Sequence, residues 1–185
     1  AVKVFSLTQP NREAFAELMS GEMGVEVTPV SSYEAAVGDC DIVITATSSY
    51  DAFLRGEWLE PGQHLDAMGG GDRTNKLQEL FADVYDRAAV VTVNSKPQAQ
   101  YDEPLDVLEA IHNGATSWDD ITELGGIVAG TSPGRDNSDQ VTLHRHHTGL
   151  GLWYTAAGHA LYEAAVAAGA GHQVPDELFN QLYVT

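Results

Sequence analysis

The sequence predicts an α/β fold: an open, mostly parallel sheet with helical crossovers, followed by carboxyl-terminal helices. Three observations predict it. Short runs rich in Val, Ile and Thr alternate with helix-like segments over the first hundred residues. One of them, "DIVIT" at residues 41–45, is almost wholly apolar, the pattern of a strand covered on both faces. The connections are short, which suits right-handed crossovers between parallel strands.

In chain order, residues 2–6 alternate as a buried strand. Pro10 and Asn11 open a helix through Met19, with Asn11 as N-cap and Glu13 in the first turn, and Gly21 and Gly24 end it. Residues 25–29 form a short β-branched strand, and Ser32 starts a short helix to Val37. After "DIVIT", strands are expected at residues 64–69 and 89–94, with a helix near residues 76–84 between them. Residues 96–113 read as an amphipathic helix, and Ser117 opens another with Asp120 as its capping-box partner. "GIVAGTSPGR" ends in a turn and "QVTLHRHH" is strand-like. Residues 149–168 form a long helix rich in Ala, Leu and Tyr. Pro175 begins an amphipathic tail whose Phe179, Leu182 and Tyr183 need a surface to pack on.

The 185 residues suffice for one good-sized core, and 43% hydrophobic content argues against wholesale disorder. Charge is the unusual quantity. Asp and Glu number 27 against 9 Lys and Arg, a net charge of −18. Such a surface repels nucleic acid and anionic membranes, so neither is expected as a partner. The acids are scattered rather than gathered in a tail, which reads as a protein built for high salt, where self-repulsion is screened. Cys40 stands alone, so no intrachain disulfide forms and a cytoplasmic setting is predicted. No apolar run is long enough to span a bilayer.

Ligands of open parallel sheets sit beyond the carboxyl ends of the strands. Two such ends carry small or polar residues: Thr45 to Ser48, and Met68 to Asp72 with its run of three glycines. Glycine costs roughly 0.5–1 kcal/mol per site in regular structure, so the run calls for a close approach of ligand and backbone. A dinucleotide crevice is the expected use. The Gly-x-Gly-x-x-Gly loop that normally opens such a domain is absent from the sequence. If residues 2–6 are the second strand, that loop would lie upstream of Ala1. The end of this strand holds Ser6, Leu7 and Thr8 rather than an acid for an adenosine ribose. Ser6, Thr8 and Arg12 could instead meet a 2′-phosphate, which points towards NADP. His144 and His146 share a face of a strand and could offer two metal ligands. With no Cys nearby and no helical His pair, no metal is expected there, and the histidines are read as crevice-lining or surface residues. His159 reads as a packing residue of the long helix, Trp58, Trp118 and Trp153 as core or interface anchors, and Arg135 as a turn residue.

These residues make the chain resemble the carboxyl-terminal portion of the ornithine cyclodeaminase/mu-crystallin family. The segments that carry the resemblance are "REAFAELM", "DCDIVITATSS", "WLEPGQHLDAMGGGD" with Lys76 following, "ELGGIVAGTSPGR" and "VTLHRHHTGLG". They cover nearly the whole chain in order. The family comprises ornithine cyclodeaminases, archaeal-type alanine dehydrogenases and imine or ketimine reductases. The resemblance implies a Rossmann-type domain, here lacking its first strand and Gly-rich loop, and NAD or NADP as cofactor. It implies Asp72 as the catalytic acid/base and Lys76, four positions on, as a residue that holds the cofactor. Thr45 and the run Leu65, Asp66, Ala67 and Met68 would line the nicotinamide nucleotide, and His147 with Thr148 would lie near its nicotinamide end. This sequence departs from the pattern by one extra glycine before Asp72 and by the histidine at 147.

The implied reaction is hydride transfer at the α carbon of an amino acid, with the Asp moving protons: ornithine to proline plus ammonia, or a related alanine dehydrogenase or imine reductase step. Residues 1–148 would be a partial dinucleotide-binding domain, and residues 149–185 a helical segment that packs on an amino-terminal domain. The expected partners are a small amino acid or imine, a separate amino-terminal half, and a second copy in the complete form. The alternatives are a ligand-binding protein without turnover, as in mu-crystallin-like members, and a truncated structural or oligomerising remnant.

Overall fold

The structure, a computed structural model, describes residues 1–146 and 150–178. The chain divides into two compact units, Ala1–Thr148 and Gly149–Thr185. In the first unit every strand pairing is parallel. Strands β1 (Val2–Val4) and β2 (Val27–Pro29) form a two-stranded sheet. The other five are β3 (Ile42–Thr45), β4 (His64–Ala67), β5 (Val90–Val93), β6 (Ile121–Glu123) and β7 (Thr142–Arg145). They form one sheet in the order β3-β4-β7-β5-β6.

The non-sequential order puts the last strand in the middle. Burial follows from that: Leu143 of β7, Leu65 and Ala67 of β4, and Val91 and Val93 of β5 are core residues. Helices α3 (Ala82–Arg87) and α5 (Leu105–His112) cover this face with Val84, Tyr85, Val107 and Ala110. The edge strand β3 buries Val43 and Thr45 but leaves Ile42 and Ile44 each 61% exposed.

Four elements differ from the sequence reading, each for a tertiary reason or an overlooked local one. Helix α1 (Gln9–Met23) starts at Thr8 rather than Asn11 and runs through Gly21 to Gly24, whose φ of 65° makes it the left-handed cap. The helix expected from residue 76 begins only at Ala82. The preceding residues are not helical: Gln78, Glu79 and Leu80 are all buried, and Leu80 is bridged to Leu54. The expected helix 96–113 is two helices, α4 (Lys96–Asp102) and α5, broken at Glu103 (φ 53°) and Pro104. Proline excludes the helical conformation from the residue before it. Ser117 opens no helix. Its hydroxyl donates to Asp120 Oδ2 (2.6 Å) in a turn, after which Ile121 enters the sheet as β6 and α6 (Leu124–Val128) follows. Helix α2 (Tyr33–Val37) forms as expected, with Ser32 Oγ accepting from Ala35 N at 3.1 Å.

The second unit carries α7 (Leu150–Ala167) and a 3-10 turn at Asp176–Leu178. Tyr154, Leu161, Tyr162 and Val166 of α7 are exposed. The tail residues Phe179, Leu182 and Tyr183 lie outside the described residues. Among those described, no helix is long and apolar enough to cross a membrane.

Candidate functional site

Parallel pairing turns the carboxyl ends of β3, β4, β7 and β5 to one side of the sheet. A cavity of about 450 Å³ lies where the residues after β1 meet those after β3. Ser6, Thr8, Asn11, Thr47 and Ser49 are among its lining residues, beside Phe5 and Tyr33, whose rings meet edge-on at 4.5 Å. Arg12 Nη1 donates to Ser6 O at 3.0 Å, and its guanidinium stands 5.6 Å from the Phe5 ring centre. The lining contains no carboxylate. Its hydroxyls, aromatic pair and nearby guanidinium are groups that could hold a phosphorylated nucleotide. A larger hollow of about 620 Å³ lies at the amino ends of β3 and β4, lined by Asp39, Asp41, Glu60, His64 and Arg135. It is at the wrong end of the strands for a nucleotide crevice. Arg135 there donates to Thr142 Oγ1 (3.0 Å), as a turn residue.

The glycine run has a different cause from the one its pattern suggests. A Cβ on Gly69 would stand 2.2–2.6 Å from the carboxylate of Glu79, and one on Gly71 would stand 2.4–2.7 Å from the backbone of Asn75 and Leu77. Both glycines make room for the chain itself. Glu79 is fully buried and binds the two strand ends together. Its Oε2 accepts from Thr45 Oγ1 (2.6 Å) and Gly69 N (2.8 Å), and its Oε1 from Thr47 N (2.6 Å). Thr45, expected to line a cofactor, is thus buried and committed to Glu79. Sequence reasoning missed Glu79. The signal was an acid in the leucine-flanked "LQEL", which a helix reading places on a solvated face.

Asp72 sits in an exposed turn. Its Oδ1 accepts from Thr74 N (2.6 Å), Thr74 Oγ1 (2.6 Å) and Asn75 N (2.8 Å). The Thr74 side-chain bond, with the two backbone bonds, holds its pKa below the ordinary carboxylate value. Among the described residues Oδ2 takes no hydrogen bond. Lys76 is exposed in the same loop rather than on a helix.

On β4 the four expected nucleotide contacts separate by face. Leu65 and Ala67 are fully buried in the core, so their side chains reach no crevice, a correction to the sequence reading. Met68 is half exposed. Asp66 faces His144 across the β4–β7 ladder, and its Oδ1 lies 2.7 Å from His146 Nε2. His147 and Thr148 fall outside the described residues. Behind this face Arg145, wholly buried, is clamped by Asp106 through Nε–Oδ2 (2.5 Å) and Nη2–Oδ1 (2.9 Å), and also donates from Nη1 to His146 O. Burial opposes the charge on Arg145, but Asp106 more than offsets it, and its pKa rises. Tyr85 donates to Asp106 Oδ2 (2.9 Å), and burial with the neighbouring carboxylate pushes its phenol up. Asp106 and Arg145 were also missed, because a charged residue on a helix or strand gives no sign in sequence of being paired inside the core.

A five-stranded parallel sheet with helices packed on it, beside a smaller parallel sheet, defines an α/β fold of the Rossmann-like class. The sequence places it further. Residues 1–169 match the ornithine cyclodeaminase/mu-crystallin family, and the chain belongs to that family. It is 35% identical over 134 residues to the ketimine reductase mu-crystallin of Mus musculus, covering 71% of this chain and 38% of that protein. It is 29% identical over 174 residues to a Δ1-pyrroline-2-carboxylate reductase of Bacillus cereus, covering 94% and 52%. The solved structure of the Thermococcus litoralis Δ1-pyrroline-2-carboxylate reductase, in complex with NADH and L-proline, superposes with a TM-score of 0.84 at 29% identity, over 93% of this chain and 52% of that one. The chain spans about half the length of most of the relatives it matches.

Proposed function

We propose that this chain is the nucleotide-binding portion of an NAD(P)-dependent enzyme acting on a small amino acid or its imine. The observation that carries the reading is the acid-free cavity between the ends of β1 and β3, in a chain of this family. Ser6, Thr8 and Arg12 hold the phosphorylated adenosine end, and Met68 and Lys76 lie towards the nicotinamide, which when bound supplies the hydride acceptor or donor. In this reading a further strand pairs between β1 and β3, giving β2-β1-x-β3-β4-β7-β5-β6 and covering Ile42 and Ile44. The apolar residues of α7 then pack on the rest of the complete protein. Asp72 works as a base: anchored through Oδ1 and ionised at neutral pH, it offers Oδ2 to a proton from a substrate amine or water.

Turnover of alanine, proline, ornithine and cyclic imines with NAD(P)(H) tests this, the amino-terminal half of a relative being supplied in trans. Asp72→Asn abolishes turnover and spares NADH binding, read by quenching of tryptophan fluorescence. Turnover that survives the change overturns the role of Asp72. The engaged Oδ1 favours a second reading, a ligand-binding protein without turnover. It predicts NADH binding with no reaction of any of these substrates.

A further inference from the structure

We propose that Asp66, His144 and His146 form a binding site for a divalent cation of the zinc class at the carboxyl ends of β4 and β7. The proposal stands independently of the nucleotide reading. The register makes the site. Asp66 of β4 lies opposite His144 of β7, so their side chains leave the same face of the sheet. His146, two residues on, keeps that face because its N–H continues the ladder to Ala67 O (2.9 Å). One ligand atom from each of the three residues lies within 4.8 Å of the others. The two imidazole rings stand edge-on, 4.3 Å between centres at 81°.

The short contact is the informative one. His146 Nε2 is 2.7 Å from Asp66 Oδ1, yet this buried oxygen accepts no hydrogen bond. A buried carboxylate oxygen with no hydrogen bond, set against the imidazole nitrogens of two histidines, is the arrangement that a cation among them stabilises. His144 is already oriented for the same task. Its Nδ1 is 2.8 Å from Thr92 Oγ1, whose hydroxyl also reaches Leu143 O at 3.2 Å. When Thr92 gives its proton to that carbonyl, it accepts from Nδ1–H and fixes the tautomer that presents Nε2 as a ligand, the usual outer-shell support of a metal-bound histidine. The cation takes the place of Asn94 Oδ1, now 3.1 Å from Nε2.

Ligands around a tetrahedral zinc, bonded at 2.0–2.1 Å, stand roughly 3.3 Å apart. The short 2.7 Å pair therefore opens slightly and the wider ones close by side-chain rotation. Two imidazoles and a carboxylate suit zinc, cobalt or nickel rather than calcium or magnesium, and three protein ligands leave a coordination position open to water or a small anionic ligand. His146 and Asp66 side chains are 16% and 27% exposed, which gives the ion a way in.

The test uses the full chain, stripped with chelator and held in molar KCl, titrated with Co²⁺. One equivalent is expected to give visible d–d absorption of a low-coordinate site, discharged by Zn²⁺. His146→Ala and Asp66→Asn each weaken binding at least tenfold, whereas His159→Ala leaves it unchanged. Zn²⁺ also protects His146 of the unaltered chain from diethylpyrocarbonate, read by mass spectrometry, so the result does not depend on a variant that folds. Absence of the absorption at one equivalent, unchanged affinity in both variants, or no protection of His146 overturns the proposal.

Discussion

Replacing Gly69 by alanine tests the reason for the glycine run. The new methyl would stand 2.2–2.6 Å from the carboxylate of Glu79, well inside contact distance. Glu79 has no room to yield: it is fully buried and accepts three hydrogen bonds, from Thr45, Thr47 and Gly69. Hydrogen bonds to a charged group contribute about 1.5–3 kcal/mol each. Displacing the carboxylate far enough to lose two of them costs about 3–6 kcal/mol, a large part of the 5–15 kcal/mol typical of a domain. At about 2–4 °C per kcal/mol for a chain of this size, Gly69→Ala lowers Tm by roughly 6–24 °C. Gly21→Ala is the control of opposite sign. It lies inside α1 with nothing within 4 Å of an added Cβ, so it stabilises by about 0.5–1 kcal/mol. Unfolding in high salt, followed by the fluorescence of Trp58 and Trp118, reads both. In a Glu79→Ala background the Gly69→Ala cost falls below about 1 kcal/mol, since neighbours in contact are not additive. A Gly69→Ala protein within about 0.5 kcal/mol of the parent, or an undiminished cost without Glu79, would refute this account of the glycine.

Other outcomes follow from the charged groups. Asp106→Ala leaves the buried Arg145 guanidinium without that carboxylate and destabilises by about 3–5 kcal/mol, seen as a lower urea midpoint; a loss under 1 kcal/mol would show the pair to be incidental. His64 has its pKa lowered, first by burial and further by Arg135, with Asp66 acting the other way. The unfolded chain therefore takes up this proton first, at its ordinary 6.5, and stability falls as pH drops from there through the lowered folded value. His64→Gln flattens that part of the stability–pH curve, and an unaltered slope would exclude His64 as its source. With a net charge of −18, Tm rises steadily from dilute buffer to molar KCl; a flat profile counts against a surface built for salt.

The parallel α/β class was legible in the sequence because apolar runs such as "DIVIT" and the turn residues between them act locally: each states its own conformation without reference to a partner. The caps at Ser32 and Gly24 were legible for the same reason, and so was the pairing of small polar residues with strand ends. Tertiary structure alone decided what those ends do. Nothing in "LQEL" shows that Glu79 turns inward, and nothing in "GGGD" shows that the space left by the glycines is filled by that acid rather than by a ligand. The strand Ile121–Glu123 exists because β5 offers an unpaired edge, which no local propensity records. The meeting of Asp66 with His144 and His146 likewise depends on β7 entering between β4 and β5, so that residues about eighty apart share one row of the sheet. A sequence lists its charged and ligating groups, whereas register and burial determine which of them meet.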